Sequence, residues 1–272
     1  VEKITMGKAK VITMIPQGYS PENYQPKPSD LEDLSNADIY FTIDVPTESA
    51  NILPSLRDLN SNIKIADLFD AVADEYNVLS FDLYEEFATD NTSTQSSETT
   101  EVVSQDGHDD VGVDTHIWLS PKRVKVMAKF VLDEVILADV ENKDFYTDNY
   151  NNFIVELDEL DMYIKDSLKD QNNKSFIIYH PSLGYYADDY NLNMIAIEEN
   201  GKTATAKSLE MVIEFSKAND IRVIFYQSEI DSSQVKVIAS EVDGEVIEIN
   251  PLSENIIENL YMMTDTLKSN LK

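Results

Sequence analysis

The sequence predicts an α/β fold built from parallel sheets, and three observations carry that prediction. Short apolar runs such as Phe176-Ile177-Ile178 and Ile221 to Tyr226 alternate with stretches of helical period, the pattern of βα units. One stretch, from about Lys143 to Lys169, keeps a single apolar stripe of Tyr146, Tyr150, Phe153, Leu157, Leu160, Ile164 and Leu168. At 1.5 Å per residue such a helix runs about 40 Å, enough to traverse a molecule of two lobes. Two of the three histidines, His116 and His180, stand at strand or loop ends on either side of that stripe.

Taken in order, Val1 to Ile4 reads as the tail of a helix and Lys10 to Ile15 as a strand, followed by a Gly/Pro-punctuated loop through Pro28. Ile39 to Ile43 reads as a strand, Glu48 to Leu59 as a helix and Ile63 to Ala66 as a short strand. Residues Ala88 to Val113 are Thr, Ser, Gln, Glu and Asp with almost no apolar content, the composition of a mobile acidic loop. That loop holds a glycosylation-type triplet, Asn91-Thr92-Ser93, and the third histidine, His108, which beside Asp109 and Asp110 reads as an exposed loop residue. From Pro121, suited to a first helical turn, Val124, Met127, Ala128, Val131 and Leu132 recur at spacings of three and four. Beyond Asn173 the alternation resumes, with strands at Phe176 to Tyr179, Met194 to Ile197, Ile221 to Tyr226 and Val246 to Ile249. Helices fit Thr205 to Ala218, with Thr205 as cap, then Ser233 to Val242 and Leu252 to Leu271. The chain thus divides into a first lobe over residues 1–142, a linking helix over 143–170 and a second lobe over 171–272.

The formal charge of -30 in 272 residues repels phosphate backbones and anionic membrane surfaces, so nucleic acid is not an expected partner; the same field attracts cations. The absence of cysteine rules out disulfides, thiolate metal sites and cysteine nucleophiles. No apolar run reaches the roughly 18 residues of a membrane span. Val1 is not an initiator, which is consistent with a leader removed ahead of it. An enzyme is not expected: there is no His-Glu-x-x-His, no Gly-x-Ser-x-Gly and no phosphate-cradling glycine loop among the seven scattered glycines.

Four stretches carry a resemblance to a known family. They are Gly18-Tyr19-Ser20-Pro21-Glu22-Asn23-Tyr24-Gln25-Pro26, Asp114-Thr115-His116-Ile117-Trp118-Leu119, His180-Pro181-Ser182-Leu183-Gly184-Tyr185 and Glu248-Ile249-Asn250-Pro251-Leu252. In this order the chain resembles the metal-binding subunits of zinc and manganese ABC importers, the cluster A-I solute-binding proteins. The resemblance implies two βα lobes with parallel sheets joined by a long backbone helix, with a metal cleft between the lobes. It implies metal ligands at Glu22, His116, His180 and Asn250. Two positions depart from the family pattern: Glu22 stands where histidine is usual, and Asn250 where manganese binders carry aspartate.

The function so implied is capture of a divalent transition metal outside the cytoplasm, on the cell surface or in the periplasm, and delivery to an ABC permease. Membrane tethering would come from a segment absent here. Two imidazoles favour zinc, with manganese or iron next. Ligation needs neutral imidazoles, so affinity is expected to weaken as pH falls through about 6.5. The alternative implied by the two altered positions is a degenerate relative with weak or no metal binding, acting as an adhesin or surface protein. Relatives also open with a strand and helix that this chain lacks, so the first-lobe sheet is expected to be shorter than the second, a partner chain being one way to complete it. The acidic loop takes the place of a histidine-rich segment carried by many relatives.

Overall fold

A computed structural model describes residues 1–81, 112–198, 204–227 and 233–271. Helix α1 (Glu2–Thr5) opens the chain, and Asn149 donates from Nδ2 to the carbonyl of its buried Ile4. The expected strand over Lys10 to Ile15 is absent; this stretch is irregular, with Met14 packed on the cluster of Leu34, Tyr40, Ile52 and Leu56. Val11, Met14 and Ile15 are only half-buried and Ile12 is exposed, because β propensity reports fit to a half-buried surface and not pairing itself. Helix α2 (Pro28–Ser35) starts at the last residue of the expected loop and fills a stretch to which the sequence assigns no element. Pro28 opens it, and the Asp30 carboxylate caps it by accepting from Lys27 N (2.7 Å) and Tyr24 OH (2.7 Å).

Strand β1 (Ile39–Thr42) pairs in parallel with β2 (Lys64–Asp67), in register from Ile39 opposite Lys64 to Thr42 opposite Asp67. Between them a wide π-type turn, Glu48–Ile52, runs into α3 (Leu53–Leu59). Helix α4 (Leu68–Ala73), not expected from the sequence, starts at an Asp67 cap that accepts from Asp70 N. Helix α5 (Pro121–Ala138) follows the Ser120 cap, and α6 (Lys143–Leu168) is the 26-residue linking helix.

The second sheet has four parallel strands in the order β4-β3-β5-β6: β3 (Ser175–Ile178), β4 (Asn193–Ala196), β5 (Val223–Gln227) and β6 (Glu245–Ile249). Between the strands lie α7 (Gly184–Asp189), α8 (Ala206–Ala218) and α9 (Ser233–Glu241). The last helix, α10 (Ile256–Asn270), begins four residues later than its apolar pattern suggests, because Pro251 and Leu252 form a turn first. Successive side chains of β3 point to opposite faces. Phe176 and Ile178 join Leu160, Ile164, Leu260 and Met263 on one side, and Ile177 and Tyr179 join Val212, Val235 and Ile238 on the other. Both faces are covered, which is why these strands read as continuous apolar runs. Among the described residues the first sheet has two strands against four in the second.

The stripe on α6 is divided between two cores. Tyr146, Phe153 and Leu157 pack against Val124, Val131 and Val135 of α5, whereas Leu160, Ile164 and Leu168 belong to the core under the second sheet. One rigid rod therefore fixes both sheets. A second tie runs from the start of α5 to α7: the buried Arg123 guanidinium pairs with Asp189 at 3.1 Å and lies over the Tyr185 ring, while Ser120 Oγ donates to the same carboxylate (2.5 Å).

Candidate metal centre

The second sheet presents its part of the site at the carboxyl ends of adjacent strands, the usual place for ligands in an open α/β sheet. His180 lies two residues beyond the end of β3, and Glu198 two beyond the end of β4. The parallel pairing continues past the strand ends, since Ile197 N donates to Ile178 O (2.9 Å) and Glu198 N to Tyr179 O (2.9 Å). That ladder brings the Glu198 carboxylate to 2.8 Å from His180 Nδ1. At the end of β5, Gln227 Nε2 donates to Ser182 Oγ (2.5 Å), and Ser182 N donates to the His180 carbonyl (2.8 Å). His180 is almost wholly buried on this support.

His116 is held by different means. The buried Asp114 carboxylate accepts from His116 N (2.9 Å) and lies 2.7 Å from His116 Nδ1. Tyr185 OH donates to the Asp114 carbonyl (2.6 Å), and the single helical turn Ile117–Leu119 buries two side chains just beyond. Trp118 stacks beside His116 and donates from Nε1 to Pro251 O (2.9 Å), linking this turn to the end of β6.

Glu22 sits in an irregular loop. Gly18 opens it at φ 87, a left-handed conformation glycine adopts freely, and Ser20 Oγ accepts from Glu22 N (3.2 Å). Thr47 N donates to Pro21 O (3.1 Å), and Thr47 Oγ1 and Asn51 Nδ2 both donate to Tyr24 O.

These supports bring three of the four expected residues together. His180 Nε2 lies 3.0 Å from Glu22 Oε1 and 3.3 Å from His116 Nε2. In both imidazoles a carboxylate takes Nδ1, so with Nδ1 protonated each Nε2 turns its lone pair toward the same point. Two facing lone pairs beside a carboxylate oxygen need a cation or a proton between them. A tetrahedral zinc with bonds of about 2.0–2.1 Å separates its donors by about 3.3 Å. The two spacings at His180 Nε2, to Glu22 and to His116, are of that size. Among the described residues the group whose ligand atoms all lie within 4.8 Å of one another is Glu22, His180 and Glu198, with His116 joined to it through His180; Glu198 lies behind the His180 ring, on the nitrogen opposite His116. Its place is that of an orienting partner.

Burial opposes charge on His180, yet the Glu198 hydrogen bond and the charges of Glu22, Glu198 and Asp114 outweigh it, and the pKa stands above the ordinary 6.5. The Phe81 ring lies against both imidazoles, its centroid 6.3 Å from that of His116 and 6.4 Å from that of His180. Phe81 N donates to Gly112 O (2.6 Å), so the described residues on either side of 82–111 meet beside the site. Most of that segment, with Asn91 and His108, lies outside the described residues.

The fourth expected residue is differently engaged. Asn250 Oδ1 accepts from Leu252 N (3.2 Å) and its backbone carbonyl from Asn259 Nδ2 (2.7 Å), the contacts of a residue that closes a turn. Sequence reasoning missed the partners instead. Asp114 was in plain view two residues before His116, the spacing of an Asx turn, whereas Glu198 carries no local signal because its role depends on β4 lying beside β3. No described helix is long and apolar enough to cross a membrane.

Comparison with known proteins bears on the family and the fold. The chain is 24% identical over 259 residues, covering 92% of itself and 74% of the relative, to the high-affinity zinc uptake system protein ZnuA of Bacillus subtilis. It superposes on the crystal structure of a zinc-bound ZnuA lacking residues 138–173 with a TM-score of 0.82 and 28% identity, over 100% of this chain and 93% of that one. The laminin-binding protein Lmb of Streptococcus agalactiae, described as an adhesin with metal-transporting activity, shares the fold with a TM-score of 0.74 at 19% identity, over 100% and 94% of the two chains. Residues 1–270 match the family described as ZnuA, zinc-uptake complex component A, periplasmic, and the chain belongs to that family of extracytoplasmic, non-enzymatic solute-binding proteins of zinc and manganese ABC importers.

Proposed function

We propose that this chain captures a divalent transition metal through Glu22, His116 and His180 and hands it to an ABC permease, with zinc its first cargo. The observation that carries the reading is the convergence of two Nε2 atoms and one carboxylate oxygen from three separate stretches of sequence. Two imidazoles and a carboxylate are the donor set of many open zinc sites, and a fourth position left to water or a weak donor suits a cargo that must leave again. Asn250, at the end of β6, is the candidate for that weak donor: its neutral amide oxygen adds no charge, which favours zinc over a cation that depends on carboxylates. Glu198 raises the basicity of the His180 ring from behind, and Asp114 orients the His116 ring. The acidic surface concentrates cations outside the cleft within about a Debye length of 10 Å.

Elemental analysis of the purified chain after zinc exposure and dialysis is the direct test. One ion per chain, reduced to traces in the His116→Ala and His180→Ala variants, is the expected result. Traces in the parent chain would instead favour the degenerate surface-protein reading. Zinc retained in full by both histidine variants would move the site elsewhere.

A further inference from the structure

One buried carboxylate has no part in the cluster just described. Glu48 is 4% exposed, and its two oxygens take four hydrogen bonds from a single short segment. Oε1 accepts from Tyr40 OH (2.8 Å), and Oε2 accepts from Thr42 Oγ1 (2.8 Å), Ile43 N (3.1 Å) and Val45 N (3.1 Å). The segment is the end of β1 and the turn that follows, in which Asp44 holds a left-handed φ of 60 and donates from N to Thr42 Oγ1 (3.2 Å). Such a turn is unfavourable for a residue other than glycine and persists only where its surroundings hold it. Burying a carboxylate is likewise unfavourable unless it is fully hydrogen-bonded. Burial pushes the Glu48 carboxyl above its ordinary range even against the pull of these donors.

The residues flanking Glu48 in the same turn and helix start are those that hold the Glu22 loop. Thr47, adjacent in sequence, donates to Pro21 O and Tyr24 O, and Asn51, one helical turn on, donates to Tyr24 O. Glu22 lies between Pro21 and Tyr24, so it is bracketed by bonds that originate beside Glu48. We infer that Glu48 is the positioning residue for the Glu22 ligand: it locks the turn after β1, the turn locks the Pro21–Tyr24 loop, and the loop aims the carboxylate at His180. The inference rests on the reading of Glu22 as a ligand.

A double-mutant cycle read by competitive zinc titration tests it. Glu48→Ala leaves four donors without an acceptor and is expected to weaken zinc binding about tenfold, the lower end of the range for outer partners of metal ligands. In a Glu22→Ala background the same change is expected to cost nothing further. Glu48→Gln can keep its oxygen on Thr42, Ile43 and Val45 while its amide donates to a reversed Tyr40 hydroxyl, so it should stay within about threefold of the parent. If Glu48→Ala does not fold, Thr47→Val combined with Asn51→Ala cuts the same relay downstream and enters the cycle in its place. An equal loss in both backgrounds would mark Glu48 as a general support of the fold and overturn the inference, as would no loss in either. Unchanged zinc affinity in Glu22→Ala alone would remove the ligand reading and this inference with it.

Discussion

The two halves of the metal centre are built on opposite principles. The half on the second sheet is mounted on backbone: His180 and Glu198 extend from neighbouring strands, and main-chain hydrogen bonds that continue the ladder set their spacing. The other half is mounted on irregular loops tied mainly by side chains, with Asp114 holding His116 and Thr47 and Asn51 holding the Glu22 loop, beside single main-chain bonds from Thr47 N and Asp114 N. The β4–β3 ladder lies at the edge of the four-stranded sheet but is clamped by apolar cores on both faces, whereas an irregular loop held by a few hydrogen bonds yields locally and at lower free energy. The half on the second sheet is thus the stiffer mount and the other the more yielding one.

The largest expected effects lie on the stiffer mount. A zinc site of four ligands is worth roughly 10–16 kcal/mol, so deleting one imidazole should weaken zinc on the order of 10²–10³-fold. His180→Ala is expected to reach that range by competitive titration. Glu198→Gln should cost about 10–100-fold, since it keeps a hydrogen-bond acceptor for Nδ1 but removes the negative charge behind the ring. A Glu198→Gln affinity equal to that of the parent would mean that ring orientation is set elsewhere and that the two halves do not differ as argued.

An intermediate effect is expected from pH. The His180 pKa is raised above 6.5 in the folded chain, so its protonated form contributes stability that is fully present below about pH 6.5 and is lost as pH rises through the folded value. Zinc requires the neutral ring and has the opposite sign: binding strengthens as pH rises toward the folded pKa and levels off beyond it. The window thus opens above the 6.5 of a free imidazole, higher than residue type alone predicts. Thermal melts from about pH 6 to about pH 9 should show metal-free Tm falling relative to the zinc-loaded Tm. In Glu198→Gln the crossover should move to lower pH, because a principal cause of the raised pKa is gone. A gap between the two melting curves that does not change with pH would detach His180 from the metal.

How much of this was legible in the sequence follows the same division. The strands of the second sheet and the stripe on α6 were readable because burial on two faces, or along one helical face, writes itself into local composition. The run from Lys10 to Ile15 was misleading, because four apolar side chains announce burial but not a partner strand. The short helices α4 and α7 are too brief to show a period. At the site, Glu22, His116 and His180 stood in motifs, and the structure brings them together. Glu198 and Glu48 were invisible for one reason: each acts through a neighbour that only the fold supplies, a parallel strand in one case and a turn in the other.

Asn250 offers the smallest and most delicate test. Its Oδ1 is already an acceptor for Leu252 N, and its carbonyl anchors Asn259 at the start of α10, so its established work is to close the turn after β6. A neutral oxygen with one lone pair engaged contributes little to a metal beside two imidazoles and a carboxylate. Asn250→Ala is therefore expected to lower stability by about 0.5–1.5 kcal/mol, the usual worth of one such hydrogen bond, and to change zinc affinity less than about threefold. Asn250→Asp keeps the turn acceptor and adds a charge, so it should raise manganese affinity more than zinc affinity, because manganese relies on carboxylate oxygen where zinc is content with nitrogen. Titrating both metals against both variants reads the contribution of β6 directly. A large loss of zinc in Asn250→Ala at unchanged stability would make β6 a third strand of the stiffer mount and shift the balance of the site further toward the second sheet.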